Sequence, residues 1–178
     1  MTAEERANGK GAMGTAGSKR FASPTRIFAV ANQKGGVGKT TTAINLGTAL
    51  AACGARVLVI DLDPQANAST GLGLEREPGR PTVYDVLLNG LDLQEVILPS
   101  LVPNMELLPS SVELSGAEIE LVGEQRRESR LHEALAVYPD RWDYILIDCP
   151  PALGLLTINA LVAADGVIVP LQAEFYAL

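Results

Sequence analysis

Short apolar runs alternate with longer segments of helical periodicity along most of this chain. The runs that predict buried strands cover residues 26–32, 56–62, 105–108, 144–149 and 166–171. Helices are predicted over residues 40–53, 112–122, 129–137 and 153–164, with a shorter one over 82–88. Because strands alternate with helices, the pattern indicates an α/β fold with a mainly parallel sheet flanked by helices.

The remaining segments are irregular. Residues 64–81 predict a long polar loop. Residues 1–24 are rich in Gly, Ala, Ser and Lys without periodicity, and they predict a disordered extension, with a weak basic arm for nucleic acid as the alternative. Residues 25–178 predict a single domain, and a new element begins near Glu174 just before the last residue. We therefore expect this domain to be incomplete at its C-terminal end.

Composition and charge narrow the class of protein. Of the 178 residues, 47% are hydrophobic, which is enough for a core, yet no apolar run reaches the roughly 18 residues of a membrane span. Glu4 and Glu5 stand where a signal peptide would be basic and then apolar, so we expect a cytoplasmic protein with no membrane partner. Residues 1–25 hold four basic and two acidic side chains, and the remainder ten basic and nineteen acidic. Such an acidic body does not predict a DNA-binding surface by itself.

The two cysteines, Cys53 and Cys149, are the only residues that bear on redox chemistry. Cys53 falls in a predicted helix and Cys149 at the end of a predicted strand. Both are predicted to be small, buried and reduced thiols, as is usual in a cytoplasmic protein.

A glycine-rich segment between the first strand and the first helix carries the chemistry. It consists of Lys34, Gly35, Gly36, Val37, Gly38, Lys39, Thr40 and Thr41. Glycines let backbone N–H groups turn toward a phosphate, and the start of the helix adds unpaired N–H groups. Lys39 can reach the β- and γ-phosphates of a nucleotide, and Thr40 can place its hydroxyl on Mg²⁺. The strict Walker A pattern fails because Gln33 takes the first glycine position, while Lys34 adds a second lysine.

Acidic residues follow two further predicted strands. Asp61 and Asp63 end the strand over residues 56–62, and Asp148 ends the strand over 144–149. In an open α/β sheet, ligands bind at the carboxyl ends of the strands. These carboxylates are therefore predicted beside the phosphate loop, where a Mg²⁺ ion and an attacking water need such groups. The site predicts a P-loop nucleotide hydrolase fold.

The chain resembles the ParA/Soj family, the deviant Walker A ATPases that partition chromosomes and plasmids. The likeness rests on residues 32–42, the Asp-Leu-Asp-Pro-Gln-Ala-Asn run of 61–67, Asp-Cys-Pro-Pro at 148–151, and residues 156–161 and 170–174. It covers the chain from about Arg26 onward. The phosphate loop is shared with several relatives, whereas the run at 61–67 and the final segment are specific to ParA-like proteins.

The resemblance implies a role for each site residue. Lys34 would cross an ATP-bound homodimer to the phosphates of the partner, and Lys39 would serve the nucleotide of its own chain. Asp63 would orient or activate the attacking water. Asp148 would hold Mg²⁺ through water, with Asp61 supporting the same shell. The resemblance also implies a nucleoid-associated protein that binds DNA without sequence preference, through the part expected beyond residue 178, and a ParB-like partner that stimulates ATP hydrolysis.

Three other functions share the loop or the fold. A MinD-like ATPase that positions cell division would need an amphipathic C-terminal helix, and the run at residues 61–67 favours ParA instead. An iron–sulfur carrier would need cysteines placed to hold a cluster, which Cys53 and Cys149 are not. A non-catalytic nucleotide-dependent scaffold is disfavoured because both Asp63 and Asp148 are present.

Overall fold

The computed structural model describes residues 24–173, in which six strands form one sheet. The strands are β1 (Arg26–Val30), β2 (Val57–Asp61), β3 (Leu98–Pro99), β4 (Met105–Leu108), β5 (Tyr144–Asp148) and β6 (Gly166–Ile168). Their order across the sheet is β3-β4-β2-β5-β1-β6. Every neighbouring pair is parallel except β3 and β4. The predicted α/β fold with a mainly parallel sheet is confirmed.

Helices cover the sheet between the strands. They are α1 (Lys39–Ala52), α2 (Asn67–Gly71), α3 (Leu93–Val96), α4 (Leu114–Glu120), α5 (Arg130–Ala136) and α6 (Leu155–Ala163). A π-helical turn, Asp85–Asn89, and a 3₁₀ turn, Leu121–Gly123, complete the described elements. The predicted helices are all present, each within a few residues of its expected bounds.

The two faces of the sheet bury separate apolar clusters because successive side chains of a strand point to opposite faces. On β2, Val57 and Val59 join the cluster beneath α1, while Leu58 and Ile60 join the larger cluster beneath α4, α5 and α6. All five residues of β2 are buried. A near-continuous apolar strand is what a parallel sheet covered on both faces requires.

Helix α1 lies unusually close to the sheet at Gly47. A Cβ atom at this position would stand 3.1 Å from Met105 Cε, 3.3 Å from Val59 Cγ2 and 3.4 Å from Leu146 Cδ1. The glycine therefore lets the helix pack against three strand side chains, and this close packing fixes the height of α1 and of the loop before it.

The ends of β1 and β6 differ from the sequence prediction for two reasons. Strands β1 and β6 were expected to run to residues 32 and 171 but end at Val30 and Ile168, which are register partners. Past Val30 the chain leaves the sheet for the glycine-rich loop, so β6 has no neighbour beyond Ile168. Pro170 also lacks the N–H that a longer ladder would need.

Three short elements were not predicted, and one exposed residue was wrongly predicted to be buried. The expected loop over residues 64–81 contains α2, while α3 and β3 precede β4. These elements hold two to five residues each, too few for periodicity to show. Cys53 is exposed, not buried as predicted, because it follows the last helical residue Ala52 at the end of α1. Cys149 is buried, as predicted.

The disordered extension predicted for residues 1–24 and the element expected from Glu174 lie outside the described residues, apart from residue 24 itself. Within residues 24–173, no helix is long and apolar enough to cross a membrane.

Candidate nucleotide site

The glycine-rich loop connects the end of β1 to the start of α1. Gly36 has φ 73° and Gly38 has φ 87°, both in the left-handed region that residues with a Cβ rarely adopt. Gly38 is also the residue that precedes the first helical turn, and its carbonyl accepts the N–H of Thr42 at 2.8 Å. The left-handed turns let the loop wrap around the open end of α1, where unpaired N–H groups attract an anion.

Lys39, the first residue of α1, points back into this loop. Its side chain is 7% exposed, and its Nζ donates to the backbone carbonyl of Lys34 at 3.3 Å. The ammonium group thus spans the loop from the helix side to its opposite rim. Lys34 itself is exposed at that rim, and its N–H is held by the Asn32 side chain at 2.9 Å. The structure therefore separates one buried lysine from one exposed lysine at the same loop.

The segment after β6 braces the loop from the other side. Gln172 Nε2 donates to the carbonyl of Gly36 at 3.1 Å, and Asn32 Nδ2 donates to the carbonyl of Pro170 at 2.9 Å. Both contacts join residues 136 or more positions apart in sequence. The geometry of the loop is therefore fixed in part by the segment after β6, which is far from the loop in sequence.

Asp148 is the acidic group of this edge whose negative charge its surroundings stabilise least. It is fully buried at the end of β5, and neither carboxylate oxygen makes a hydrogen bond of normal geometry. Burial raises the pKa of Asp148 to about 7, and neighbouring Asp61 and Asp63 act in the same direction. The Thr40 hydroxyl and the Lys39 ammonium oppose this rise in pKa. A buried acceptor without adequate donors is the group most in need of a cation.

Asp61 is equally buried but well provided with donors. Its Oδ1 accepts the Asp63 N–H at 3.1 Å, and its Oδ2 accepts both the N–H of Ser69 at 2.8 Å and the Ser69 hydroxyl at 2.7 Å. Burial still raises the pKa of Asp61 to about 6, although the Ser69 hydrogen bonds lower it. Because three donors within the protein already bind this carboxylate, its main role is to hold the neighbouring backbone of Asp63 and Ser69 in place.

Asp63 lies just beyond the strand and is 9% exposed. Its Oδ1 accepts the N–H of Gln65 at 2.9 Å, and its backbone carbonyl accepts the N–H of Ala66 at 2.8 Å. The side chain is thereby held in a tight turn that follows β2. The predicted acidic residues all lie at the same carboxyl edge of the sheet as the phosphate loop.

The residues fit a magnesium–nucleotide complex better than a metal held by protein alone. Among residues 24–173, no group of three or more His, Cys, Asp or Glu side chains is arranged to hold a metal ion. Mg²⁺ in phosphate sites keeps several waters and takes few protein ligands. Thr40 and the donor-poor carboxylate of Asp148 would provide that small set, and the phosphates would supply the rest.

Ser69 and Gln172 were missed as site residues in the sequence. Gln172 falls within the run at residues 170–174 that carries the family resemblance, so that run was a usable signal. Ser69 lies in the segment predicted to be a polar loop, where nothing in the local pattern indicates a bond to Asp61. Only the position of α2 against β2 reveals it.

The sheet, the glycine-rich loop and the acidic strand ends define a P-loop nucleotide-binding protein. A family model described as AAA domain matches residues 25–178. The chain belongs to this family, in its ParA/Soj group of P-loop ATPases, which confirms the resemblance.

Known relatives agree with this placement. The chain is 53% identical over 153 residues to the sporulation initiation inhibitor protein Soj of Bacillus subtilis, covering 86% of this chain and 60% of that protein. It is 55% identical over 159 residues to the chromosome partitioning protein ParA of Caulobacter vibrioides, covering 88% of this chain and 60% of the relative. The chain thus spans about 60% of the length of the curated relatives it matches.

A solved structure shows the same fold with nucleotide. It is cobyrinic acid a,c-diamide synthase from Mycobacterium smegmatis with a bound ATP analogue and magnesium, 45% identical, with a TM-score of 0.83 over 86% of this chain and 63% of that chain. That protein is named for a different reaction, so the likeness concerns fold. The relative named as a chromosome partitioning protein favours the ParA-like alternative over the MinD-like one.

Proposed function

We propose that this protein binds ATP with Mg²⁺, hydrolyses it to ADP and phosphate, and uses the cycle to partition chromosomes or plasmids. The proposal rests chiefly on Lys39, which is buried in the first turn of α1 and reaches into the glycine-rich loop. That loop contains two left-handed glycines and lies at the same edge of the sheet as Asp148. Support also comes from relatives named Soj and ParA and from the ATP analogue and magnesium in the related structure.

The chain's own residues divide the work at the triphosphate. Backbone N–H groups of residues 35–41, including those at the open end of α1, bind the phosphate oxygens, while the Lys34 N–H is held by Asn32. Lys39 leaves its contact with the Lys34 carbonyl and pairs with the β- and γ-phosphates, since a phosphate is a far better partner for an ammonium group than a 3.3 Å carbonyl.

Thr40 and Asp148 would hold the magnesium ion, Asp148 through water. The bound ion would supply positive charge that offsets the negative charge of the phosphate oxygens. Asp61 remains a predicted member of this shell, and its three internal hydrogen bonds favour a supporting role. Asp63 orients the attacking water and accepts its proton, because it is the acidic group of the edge that retains some exposure.

Lys34 is proposed to act on a second copy of the chain. Its side chain is exposed at the loop rim, and Lys39 already serves the nucleotide of its own chain. A compact ammonium charge meeting a triphosphate in a water-poor interface stabilises the closed dimer and the transition state. ATP therefore closes a homodimer in this proposal.

The cellular role follows from the dimer and the relatives. We propose that the ATP-bound dimer associates with the nucleoid by binding DNA without sequence preference. The DNA contacts would come from a region that corresponds to the part of the relatives not matched by this chain. A ParB-like protein stimulates hydrolysis and releases the dimer. The acidic balance of the sequence, with a net charge of −7, supports placing the DNA contacts outside residues 24–173.

The direct test is ATP binding and turnover by the full-length protein and its Lys39→Ala variant. We expect the wild type to bind and hydrolyse ATP with Mg²⁺, and the variant to bind much more weakly and to lose turnover. Asn45→Ala, which removes an exposed polar side chain of α1 outside the phosphate loop, is the control and should leave binding and turnover near the wild-type values. Equal turnover in the wild type and Lys39→Ala would reject the site.

A further inference from the structure

A chain of hydrogen bonds links Asp61, at the end of β2, to the segment that follows β4. It starts at Asp61, whose two oxygens accept hydrogen bonds from different residues. Oδ1 takes the backbone N–H of Asp63, and Oδ2 takes the Ser69 hydroxyl. Asp61 is therefore a bridge between the residue proposed to orient water and the helix that follows it.

The Ser69 hydroxyl extends this bridge. While it donates to Asp61 at 2.7 Å, its oxygen accepts the backbone N–H of Ser110 at 3.1 Å. Ser110 follows the end of β4 after Pro109, so the hydroxyl joins the ends of β2 and β4 through α2. Ser69 is 4% exposed, so water does not compete effectively for either bond.

The segment between Asp63 and Ser69 would not adopt its shape from local preference. Ala66 precedes α2 with φ 55°, a left-handed conformation that is unfavourable for a residue with a Cβ. α2 has five residues, too short to be stable alone. Tertiary bonds must hold it, and the bonds that Ser69 makes to Asp61 and Ser110 are buried polar bonds of this kind.

We propose that Ser69 is a positioning residue for ATP hydrolysis, which fixes the Asp63 carboxylate through Asp61. Nothing in the family motif assigns it this role, and the inference rests on the proposed function because it needs Asp63 to orient the attacking water. Removing the hydroxyl takes one of the two donors from Asp61 Oδ2 and leaves the Ser110 N–H without its acceptor, so α2 and Asp61 are held less firmly. The Asp63 N–H then bonds to a less firmly held acceptor, and the Asp63 carboxylate loses alignment while the phosphate loop is untouched.

The predicted signature is a change in kcat with little change in KM. A displacement of about 1 Å at a catalytic group can cost on the order of 100-fold in rate. For Ser69→Ala we expect kcat for ATP to fall about 10-fold or more, with KM within about twofold of wild type. Thr70→Ala is the matched control, because that hydroxyl lies in the same helix and, within residues 24–173, donates to the carbonyl of Ala66 and not to Asp61.

A shape-matched pair isolates the hydroxyl from packing. Ser69 is one of the residues that line a cavity of about 480 Å³. Ser69→Thr keeps the hydroxyl and Ser69→Val replaces it with a methyl of similar size. We expect the threonine variant to retain most of the wild-type kcat and the valine variant to lose it as alanine does. This pair decides the question even if Ser69→Ala unfolds.

Two results would overturn the positioning role. One is an equal kcat for the threonine and valine variants; the other is a Thr70→Ala loss as large as that of Ser69→Ala. Wild-type turnover in the same experiment separates this inference from the proposed function. If the wild type hydrolyses ATP and the Ser69 variants do too, only the role of Ser69 fails. If Lys39→Ala matches the wild type, the nucleotide site itself is wrong.

Discussion

Asp61 and Asp148 are register partners on adjacent strands β2 and β5, and both side chains are fully buried. Their surroundings nevertheless differ, because Asp61 receives three hydrogen bonds and Asp148 has no adequate one. The pKa of Asp148 is accordingly raised further, to about 7 against about 6. One carboxylate is satisfied by the protein, and the other is left for a ligand.

The raised pKa of Asp148 has a consequence for stability. Since this pKa is about 7 in the folded protein and ordinarily 3.8, the fold favours the protonated form. The folded protein therefore binds more protons than the unfolded chain, and stability falls as pH rises from about 4 through 7. Without nucleotide or magnesium, Asp148→Asn should unfold at a higher temperature than the wild type at pH 8.

The size of this gain follows from the shift in pKa and is of the order of 1–4 kcal/mol at pH 8, shrinking toward zero near pH 4. Thermal unfolding of both proteins at several pH values measures it. Asp140→Asn is the control, because that aspartate is exposed in a left-handed turn that Asn also tolerates. A lower unfolding temperature for Asp148→Asn at pH 8 would contradict the unsatisfied burial.

Asp63→Ala should separate hydrolysis from binding. Asp63 lies beyond β2 and outside the phosphate loop, so its loss leaves the groups that bind phosphate. We expect ATP affinity to stay within a few-fold of wild type and hydrolysis to fall by about 100-fold or more, the usual contribution of a general base. Dimers should accumulate in ATP, as measured by sedimentation. Loss of ATP binding would instead indicate a structural or metal-binding residue.

Lys34→Ala should weaken the dimer and spare the nucleotide. The side chain is exposed at the loop rim, and the Lys39 contact uses only the Lys34 backbone carbonyl. The full-length variant should bind ATP, dimerise poorly and hydrolyse slowly. DNA binding should fall with it, since two basic faces neutralise more phosphates than one. Sedimentation in ATP, with and without DNA, measures both effects, and wild-type behaviour in each would leave Lys34 as a rim charge only.

Gly47→Leu should destabilise the fold. The Cβ would already crowd Met105 and Val59, and the remaining leucine atoms have no room between α1 and the sheet. Overpacking of this kind costs about 1–3 kcal/mol. Denaturant unfolding measures the loss. Ala49→Leu, on the exposed side of the same helix, is the control and should change the free energy of unfolding by less than about 0.5 kcal/mol.

The sequence by itself determined the strands of the central sheet, the phosphate loop and the acidic residues at the strand ends. Apolar runs such as that of β2 have no alternative to burial on both faces, and glycines with a lysine between a strand and a helix have few uses besides binding phosphate. Residue type and spacing along the chain carry this information, so Lys39 and Asp148 could be predicted as site residues.

The tertiary structure decided which of these groups are satisfied and what holds them. The exposed position of Cys53, the bond from Gln172 to the loop at Gly36, and the bonds from Ser69 to Asp61 and Ser110 depend on which elements meet in space. Helix α2 is too short and too poor in helix-forming residues for the sequence to predict it. Contacts with β2 and with Ser110, which follows β4, stabilise it instead. Local pattern cannot encode bonds between segments 41 or 136 residues apart.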